Sequence, residues 1–528
     1  MGRHPAVTDL TPPGLHGKTA ASMGSASETR HAGRGVVTIT FAKLFFIACG
    51  YAVQLALPRL LGSPEQFGLY SATMSVVSIL NNVLIVATIQ TVSKRVSEAP
   101  ERAGPALRQG LSVQLGVGAL LGGGLFAGAP LLAERVLLDA AMAPLFRVAS
   151  MVVFSYALYA ALVGSLNGRQ LFTRQAGLDV TYTTLRSALI LTAAGLGYGV
   201  AGAVTGFAAA AASVLLVALF VVGTGERGEQ APLKHWAALM APLWLYQLCL
   251  NLTLQVDLAV LKRTVAALSL DAGALAAAAA EAASRLAGFY RAAQTFAFVP
   301  YQLIISVTFV VFPMVSQAVS IGDDEATRRY IRGALRFSLI VLLAVAAPIS
   351  GASAGVMRIA YPDAYLAGSG ALSVLSLGMV CFALFVIGAT ILSGAGRPGL
   401  AAAVAALTVV VVVGCNVAFV RAVGVGDETL IAAASGTSTG TAFALLAIGA
   451  AVRLRFGAFI PPLSALRTLA AAAVGWLVAG QVPSDSAVSA LLALIAGGLA
   501  YLAALVVVGE LGRKELDSIL TVVRRRTA

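Results

Sequence analysis

Five charged side chains lie in, or at the edge of, long apolar runs: Lys43, Arg59, Arg186, Asp257 and Arg291. An ion on a helix in hydrocarbon costs about 2.5–3.5 kcal/mol on insertion scales unless it meets a partner, a wet cavity or the headgroup layer. Guanidinium groups suit phosphate, because their forked donors engage two oxygens at once. Arg186, with Tyr182 one turn before it, and Arg291, beside Tyr290 with Gln294 a turn later, are candidates for that chemistry. Arg59 follows Pro58 at the end of its run, where headgroup contact is the competing reading. Lys43 has two open readings, an anionic ligand in a cavity or snorkelling to the nearer interface. Asp257 closes the polar set Asn251, Gln255 and Asp257, which suits a cation or a sugar, or a local ion pair with Lys262 or Arg263. The amides Asn81, Asn82, Gln90 and Gln302 either line the same hydrophilic path or bond helices to one another.

The elements that must position these residues are helices. The 528-residue chain is 59% hydrophobic and only 11% charged, with a mean hydropathy of +0.88. About fourteen apolar stretches are each long enough to cross a bilayer core. They fall near 36–60, 67–91, 107–132, 145–167, 177–200, 201–222, 237–261, 288–314, 334–356, 369–393, 400–421, 430–451, 463–482 and 487–509. The fold class is therefore all-α and polytopic. Only Gly195, Gly197, Gly199 and Gly202 mark the turn between the fifth and sixth spans. Residues 1–34, rich in small and polar residues, are expected to be a disordered tail, and 511–528 a basic one. Most Lys and Arg fall in alternate loops, which by the positive-inside rule places both termini in the cytoplasm. The exception is the loop after the seventh span, with Lys262, Arg263, Arg285 and Arg291. It also holds the alanine-rich 264–287 segment, expected to be a tolerated insertion or an interfacial helix.

The net charge of +13 is dispersed over short loops, so nucleic acid is not an expected partner. The four cysteines, Cys49, Cys249, Cys381 and Cys415, sit in apolar runs without a CxxC pair, and the four histidines (His4, His16, His31 and His235) fall mostly in the polar N-terminus, so no metal site is expected. No Walker A, HExxH or GxSxG motif is present, and no enzyme activity is expected. An internal repeat is visible. Gly68-Leu-Tyr70-Ser-Ala72 matches Gly288-Phe-Tyr290-Arg-Ala292, and Ser165-Leu-Asn-Gly168-Arg169 matches Ser393-Gly-Ala-Gly396-Arg397. Each pair is six spans apart, so both copies point the same way, as in parallel repeats about an axis along the membrane normal.

The segment from Ala56 to Tyr70, with Gln255-Val-Asp257, Gly288-Phe-Tyr-Arg-Ala-Ala293, Phe312-Pro-Met-Val-Ser316, Ile391-Leu-Ser-Gly-Ala-Gly-Arg397 and Gly509-Glu-Leu-Gly-Arg-Lys-Glu-Leu516, resembles the polysaccharide-transporter branch of the multidrug/oligosaccharidyl-lipid/polysaccharide exporter superfamily. The resemblance implies an N-lobe of spans one to six (35–225), a C-lobe of spans seven to twelve (232–455) and two extra spans (460–510). It further implies a bacterial inner-membrane flippase carrying undecaprenyl-diphosphate-linked oligosaccharide to the periplasmic leaflet by alternating access. Lys43, Arg186, Arg291 and Arg59 are then expected to bind substrate, and Asp257, Asn251, Gln255, Asn81 and Asn82 to line the cavity or carry a coupling ion. No cofactor is expected; a H+ or Na+ gradient or the membrane potential would drive transport. Membrane lipids, a polysaccharide polymerase and glycosyltransferases are the expected partners. A peptidoglycan-precursor flippase and a drug/cation antiporter are the rivals of the same fold. A membrane glycosyltransferase is the rival from another class, and it lacks an acidic outer loop here, since Leu61–Gln66 carries a single carboxylate.

Overall fold

The computed structural model describes residues 18–229, 232–483 and 485–511, all helices and connecting turns. The N-lobe comprises α1 (Lys18–Leu61), α2 (Pro64–Glu98), α3 (Ala103–Pro130), α4 (Met142–Gly168), α5 (Phe172–Ala193) and α6 (Gly199–Val222). The C-lobe comprises α7 (Leu233–Asp271), α8 (Ala276–Ala297), α9 (Val299–Ser320), α10 (Asp324–Gly351), the short α11 (Ser353–Ala360), α12 (Ser369–Gly394), α13 (Pro398–Val423) and α14 (Thr429–Phe456). A final hairpin of α15 (Pro462–Gln481) and α16 (Ala487–Val507) packs on α10. Twelve segments among the described residues are long and apolar enough to span a membrane, and one of them, Phe172–Val222, holds both α5 and α6. The chain reverses between those two at Gly197 (φ +86°) and Gly199 (φ +58°), backbone that glycine alone adopts without penalty.

Local chemistry sets the helix starts. Ser63 accepts the Gln66 N–H, and Pro64 follows it at the first helical position of α2. Asp323 accepts the Ala326 N–H to open α10, and Ser486 and Ser489 cap α16 reciprocally. The turns near residues 62, 139, 195 and 273 share one end of the bundle, here the upper end. Those near 100, 170, 228 and 322 share the lower end.

Three expectations are corrected. Residues 264–287 are not an outer loop: α7 runs on to Asp271 and α8 starts at Ala276, with Gly273 (φ +87°) at the tip. Alanine's helix propensity extends both helices, and Val265, Ala266, Ala279, Ala283 and Ala287 are buried, so the segment is packed. The eighth span does not begin at Gly288, which lies mid-helix, and it is divided at Phe298 ahead of Pro300, whose ring cannot continue an uninterrupted helical ladder. In the N-terminal tail, α1 already begins at Lys18; residues 1–17, and 512–528 of the basic tail, lie outside the described residues.

The lobes meet chiefly through α2, which packs on both α7 and α8. At the upper end the repeated glycines face each other. A Cβ on Gly68 would overlap the Ser284 carbonyl oxygen, and one on Gly288 would overlap that of Pro64. The repeat read in the sequence is thus also a contact between its two copies, and only glycine permits it. The second repeated pair is not equivalent: Gly168 packs against Ser93 and Val96, while Gly396 sits in a turn at φ +76°.

Candidate functional site

A cavity of about 1040 Å³ lies between the lobes, reaching from the level of Tyr70 down to Thr40 and Phe172 near the lower end. Helix α1 supplies Lys43, Phe46, Gly50, Tyr51 and Gln54; α5 supplies Arg186; α8 supplies Arg291. Thr40, Ser78, Thr295 and Gln302 join Gln54 as neutral polar groups, and apart from the three cations the rest of the wall is apolar or aromatic. The structure therefore brings Lys43, Arg186 and Arg291 to one chamber, one cation from each of three helices.

Arg186 is held in a defined pose. Its guanidinium lies 4.9 Å from the Phe46 ring centroid and 5.4 Å from that of Tyr182. One terminal nitrogen donates to the Tyr182 hydroxyl at 3.2 Å. The i, i+4 spacing of Tyr182 and Arg186 on α5 produces this contact, and the quadrupole of each ring favours the cation. Its Nε has no protein partner, and the other terminal nitrogen faces Gly50, where a Cβ would stand 3.7 Å away. Arg291, on the other lobe, reaches Gln294 Oε1 at only 3.5 Å. The Tyr70 hydroxyl lies within electrostatic range of both guanidinium groups. Lys43, at the lower part of the wall, is within electrostatic range of Asp179, which accepts a long 3.4 Å bond from Tyr159. Two guanidinium forks, one of them fixed in place with an unpartnered Nε, suit an anion with several oxygens.

The remaining expected site residues lie elsewhere. Arg59 is at the upper end of α1 and donates to its own helix at Leu55 O (2.7 Å), away from the chamber. Asn82 donates to Asn251 Oδ1 at 2.9 Å, and Ser75 donates to the Gln255 carbonyl at 2.6 Å, so these groups tie α2 to α7. Asn81 is buried. None of these amides lines the cavity. Helix rotation puts Asn82 on the face α2 turns to α7, opposite Asn251, and a sequence without its partner surface does not reveal that face.

Asp257 also lies outside the chamber, buried inside the C-lobe. Its carboxylate accepts from Tyr290 Oη (2.9 Å), from Gln294 Nε2 (3.0 Å to each oxygen), from Thr437 Oγ1 (3.2 Å) and from the Leu258 N–H (2.9 Å). Asn416 donates to Thr437 Oγ1 and to the Ala433 carbonyl, both at 3.0 Å. All of these donors to the carboxylate are neutral. The local ion pair with Lys262 or Arg263 does not form. Lys262 instead pairs with Asp139, at 2.6 Å. Among the described residues no group of three or more His, Cys, Asp or Glu could hold a metal ion.

Sequence reasoning missed Tyr51, Tyr70, Gln54, Asp179 and the Asp139–Lys262 pair. Tyr70 was in view as part of the repeat, and its position opposite Tyr290 was the available signal. Nothing local marks Asp139, whose partner lies 123 residues on.

This two-lobed chain matches the family of polysaccharide biosynthesis proteins over residues 32–319, more than half its length. The chain belongs to that family. No curated protein matches it by sequence. Among solved structures it is similar to the lipid II flippase MurJ in an inward closed conformation, with TM-score 0.71 and 15% identity, covering 89% of this chain and 98% of that one. It is also similar to an inward-facing multidrug resistance MATE family transporter of the MOP superfamily (TM-score 0.61, 15% identity, 80% and 98% covered). A third is a MOP superfamily transporter from Pyrococcus furiosus, described as having a binding pocket of reversed polarity (TM-score 0.58, 16% identity, 81% and 96% covered). At these identities the likeness is one of fold: the family member has the helical architecture of MOP-superfamily transporters.

Proposed function

We propose that this family member is a flippase that moves a polyprenyl-diphosphate-linked oligosaccharide from the cytoplasmic to the periplasmic leaflet of a bacterial inner membrane by alternating access. The observation that carries the reading is the clustering of Lys43, Arg186 and Arg291 around one inter-lobe cavity. In this reading both termini are cytoplasmic, the lower end faces the cytoplasm and the upper end the periplasm. The diphosphate sits between Arg186 and Arg291, where bonds to charged donors are strongest in a space with little water. Tyr51, Tyr70 and Phe298 offer ring faces to sugar, while the prenyl chain stays in lipid. Rocking of the lobes about the α2 contacts then exposes the headgroup to the other side. Membrane lipids surround the protein, and glycosyltransferases and a polymerase act before and after it.

Asp257 is proposed to hold the coupling proton or cation. The donors that reach this buried carboxylate are all neutral, with the Arg291 guanidinium only within electrostatic range of it, so binding H+ or Na+ would offset a charge that is incompletely balanced. The positive chamber disfavours the drug/cation antiporter reading, since a cationic substrate would be repelled. The peptidoglycan-precursor reading shares the diphosphate and differs only in the glycan.

Purified protein in liposomes tests the proposal with three fluorescent substrates: a polyprenyl-diphosphate oligosaccharide, the diphosphate lipid bearing a peptidoglycan disaccharide-peptide, and a cationic dye. Translocation of the first alone is expected. Movement of the second with equal efficiency would favour the peptidoglycan reading, and movement of the dye alone would overturn the flippase assignment.

A further inference from the structure

The basic residues Lys262 and Arg263 break the charge asymmetry of the loops, and the chamber does not use them. Lys262 is fully buried at the upper end of α7, where an unpaired ammonium would be strongly unfavourable. It donates to Asp139 Oδ2 at 2.6 Å and to Ser284 Oγ at 2.5 Å. Ser284 belongs to its own lobe, on α8, but Asp139 belongs to the other, in the α3–α4 turn. Next to it, Arg263 donates to the carbonyls of Arg135 and Val136, at the C-terminal end of the helical segment that continues α3. That end carries partial negative charge, so a cation is favoured there.

The turn that presents Asp139 is shaped for the purpose. Leu138 adopts φ +56°, a left-handed conformation that costs a leucine about 1–2 kcal/mol. It lets Asp139 do two things at once: Oδ1 caps α4 by accepting the Ala141 N–H at 3.0 Å, and Oδ2 is left for Lys262. Strain of this kind persists where surrounding contacts over-determine it. The same end carries the Gly68–Gly288 contact and the Phe67–Tyr365–Phe289 edge-to-face stack.

We propose that Lys262, Asp139 and Ser284, seconded by Arg263, form the latch that holds the upper end of the two lobes shut while the chamber faces the lower end. Opening the upper end must break the pair and expose it to water, so the latch sets the ratio of the two conformers. The proposal rests on the alternating-access reading above, but its test needs no substrate. Spin labels are placed at Glu134 and Asp271, exposed positions on opposite lobes at the upper end, after the four native cysteines are changed to alanine. Electron-electron distances are then compared in nanodiscs.

The parent is expected to show one short distance. K262M and D139N should each add a long-distance population, raising the open-to-closed ratio by about tenfold or more; asparagine keeps the Oδ1 acceptor that caps α4. The exchanged pair D139K/K262D should restore the short distance, and S284A should have a smaller effect in the same direction. Should K262M fold poorly, D139N and S284A carry the comparison. Distances unchanged in every folded variant would overturn the latch. Distances that open in a protein unable to move the diphosphate lipid would keep the latch and sink the substrate proposal instead.

Discussion

Two polar regions inside the apolar bundle, the chamber around Arg186 and the cluster around Asp257, are built in opposite ways. In the chamber Arg186 is held from behind by the Phe46 and Tyr182 rings, and its Nε is left without a protein partner. At Asp257 the anion is enclosed, with Tyr290, Gln294 and Thr437 converging on it at hydrogen-bond distance. A membrane charge with spare donors beside open space is arranged for a ligand. One surrounded by neutral partners is arranged to change its own charge state, or to hold the helices α7, α8 and α14 in register. Tyr290 links the two regions in sequence: it belongs to Asp257, while its neighbour Arg291 belongs to the chamber.

Substitutions can break this contrast. The largest effect is expected where the lobes touch. G68L or G288L would drive a side chain into the backbone of the other lobe, costing about 1–3 kcal/mol or more from overpacking. A fall in thermal unfolding temperature together with loss of transport would check it. Next, Asp257→Ala would strand three buried donors at about 1–3 kcal/mol each, lowering thermal stability. Asp257→Asn should fold better, still bind the diphosphate lipid, and lose dependence of transport on the ion gradient. Persistence of that dependence in D257N would remove Asp257 from coupling.

Smaller changes sharpen the chamber side. Arg186→Lys keeps the charge but loses the flat stacking and the fork, and a rise of about tenfold in KM for the diphosphate lipid is expected. Tyr182→Phe keeps the ring and loses one hydrogen bond, at about 0.5–1.5 kcal/mol, so KM should rise only a few-fold. The smallest effect belongs to Asn82→Ala, where one interhelical bond averages about 0.6 kcal/mol. Unfolding should barely shift and KM should not move, since Asn82 faces α7.

The sequence and structure agree where one helix suffices to decide. Apolar length marks the spans, the glycines from 195 to 199 mark a turn, and the i, i+4 spacing pairs Tyr182 with Arg186. The repeated Gly68 and Gly288 segments were visible as a duplication, though not as surfaces that meet. Disagreement arises where a second helix decides. Asn81, Asn82, Asn251 and Gln255 read as cavity residues by type, yet none lines the cavity: rotation of α2 and α7 turns Asn82 and Asn251 to one another and buries Asn81. The alanine-rich segment read as an insertion because alanine reveals nothing of what covers it. Lys262 read as a loop charge because Asp139 is remote in the chain.

The proposed binding of a diphosphate headgroup in the chamber is tested by native mass spectrometry of the purified protein with a polyprenyl-diphosphate oligosaccharide. The wild type should retain one lipid through desolvation, and K43E/R291E should release it while unfolding at an unchanged temperature. Equal retention by the two proteins would contradict the assignment of the cavity cations as the anion site.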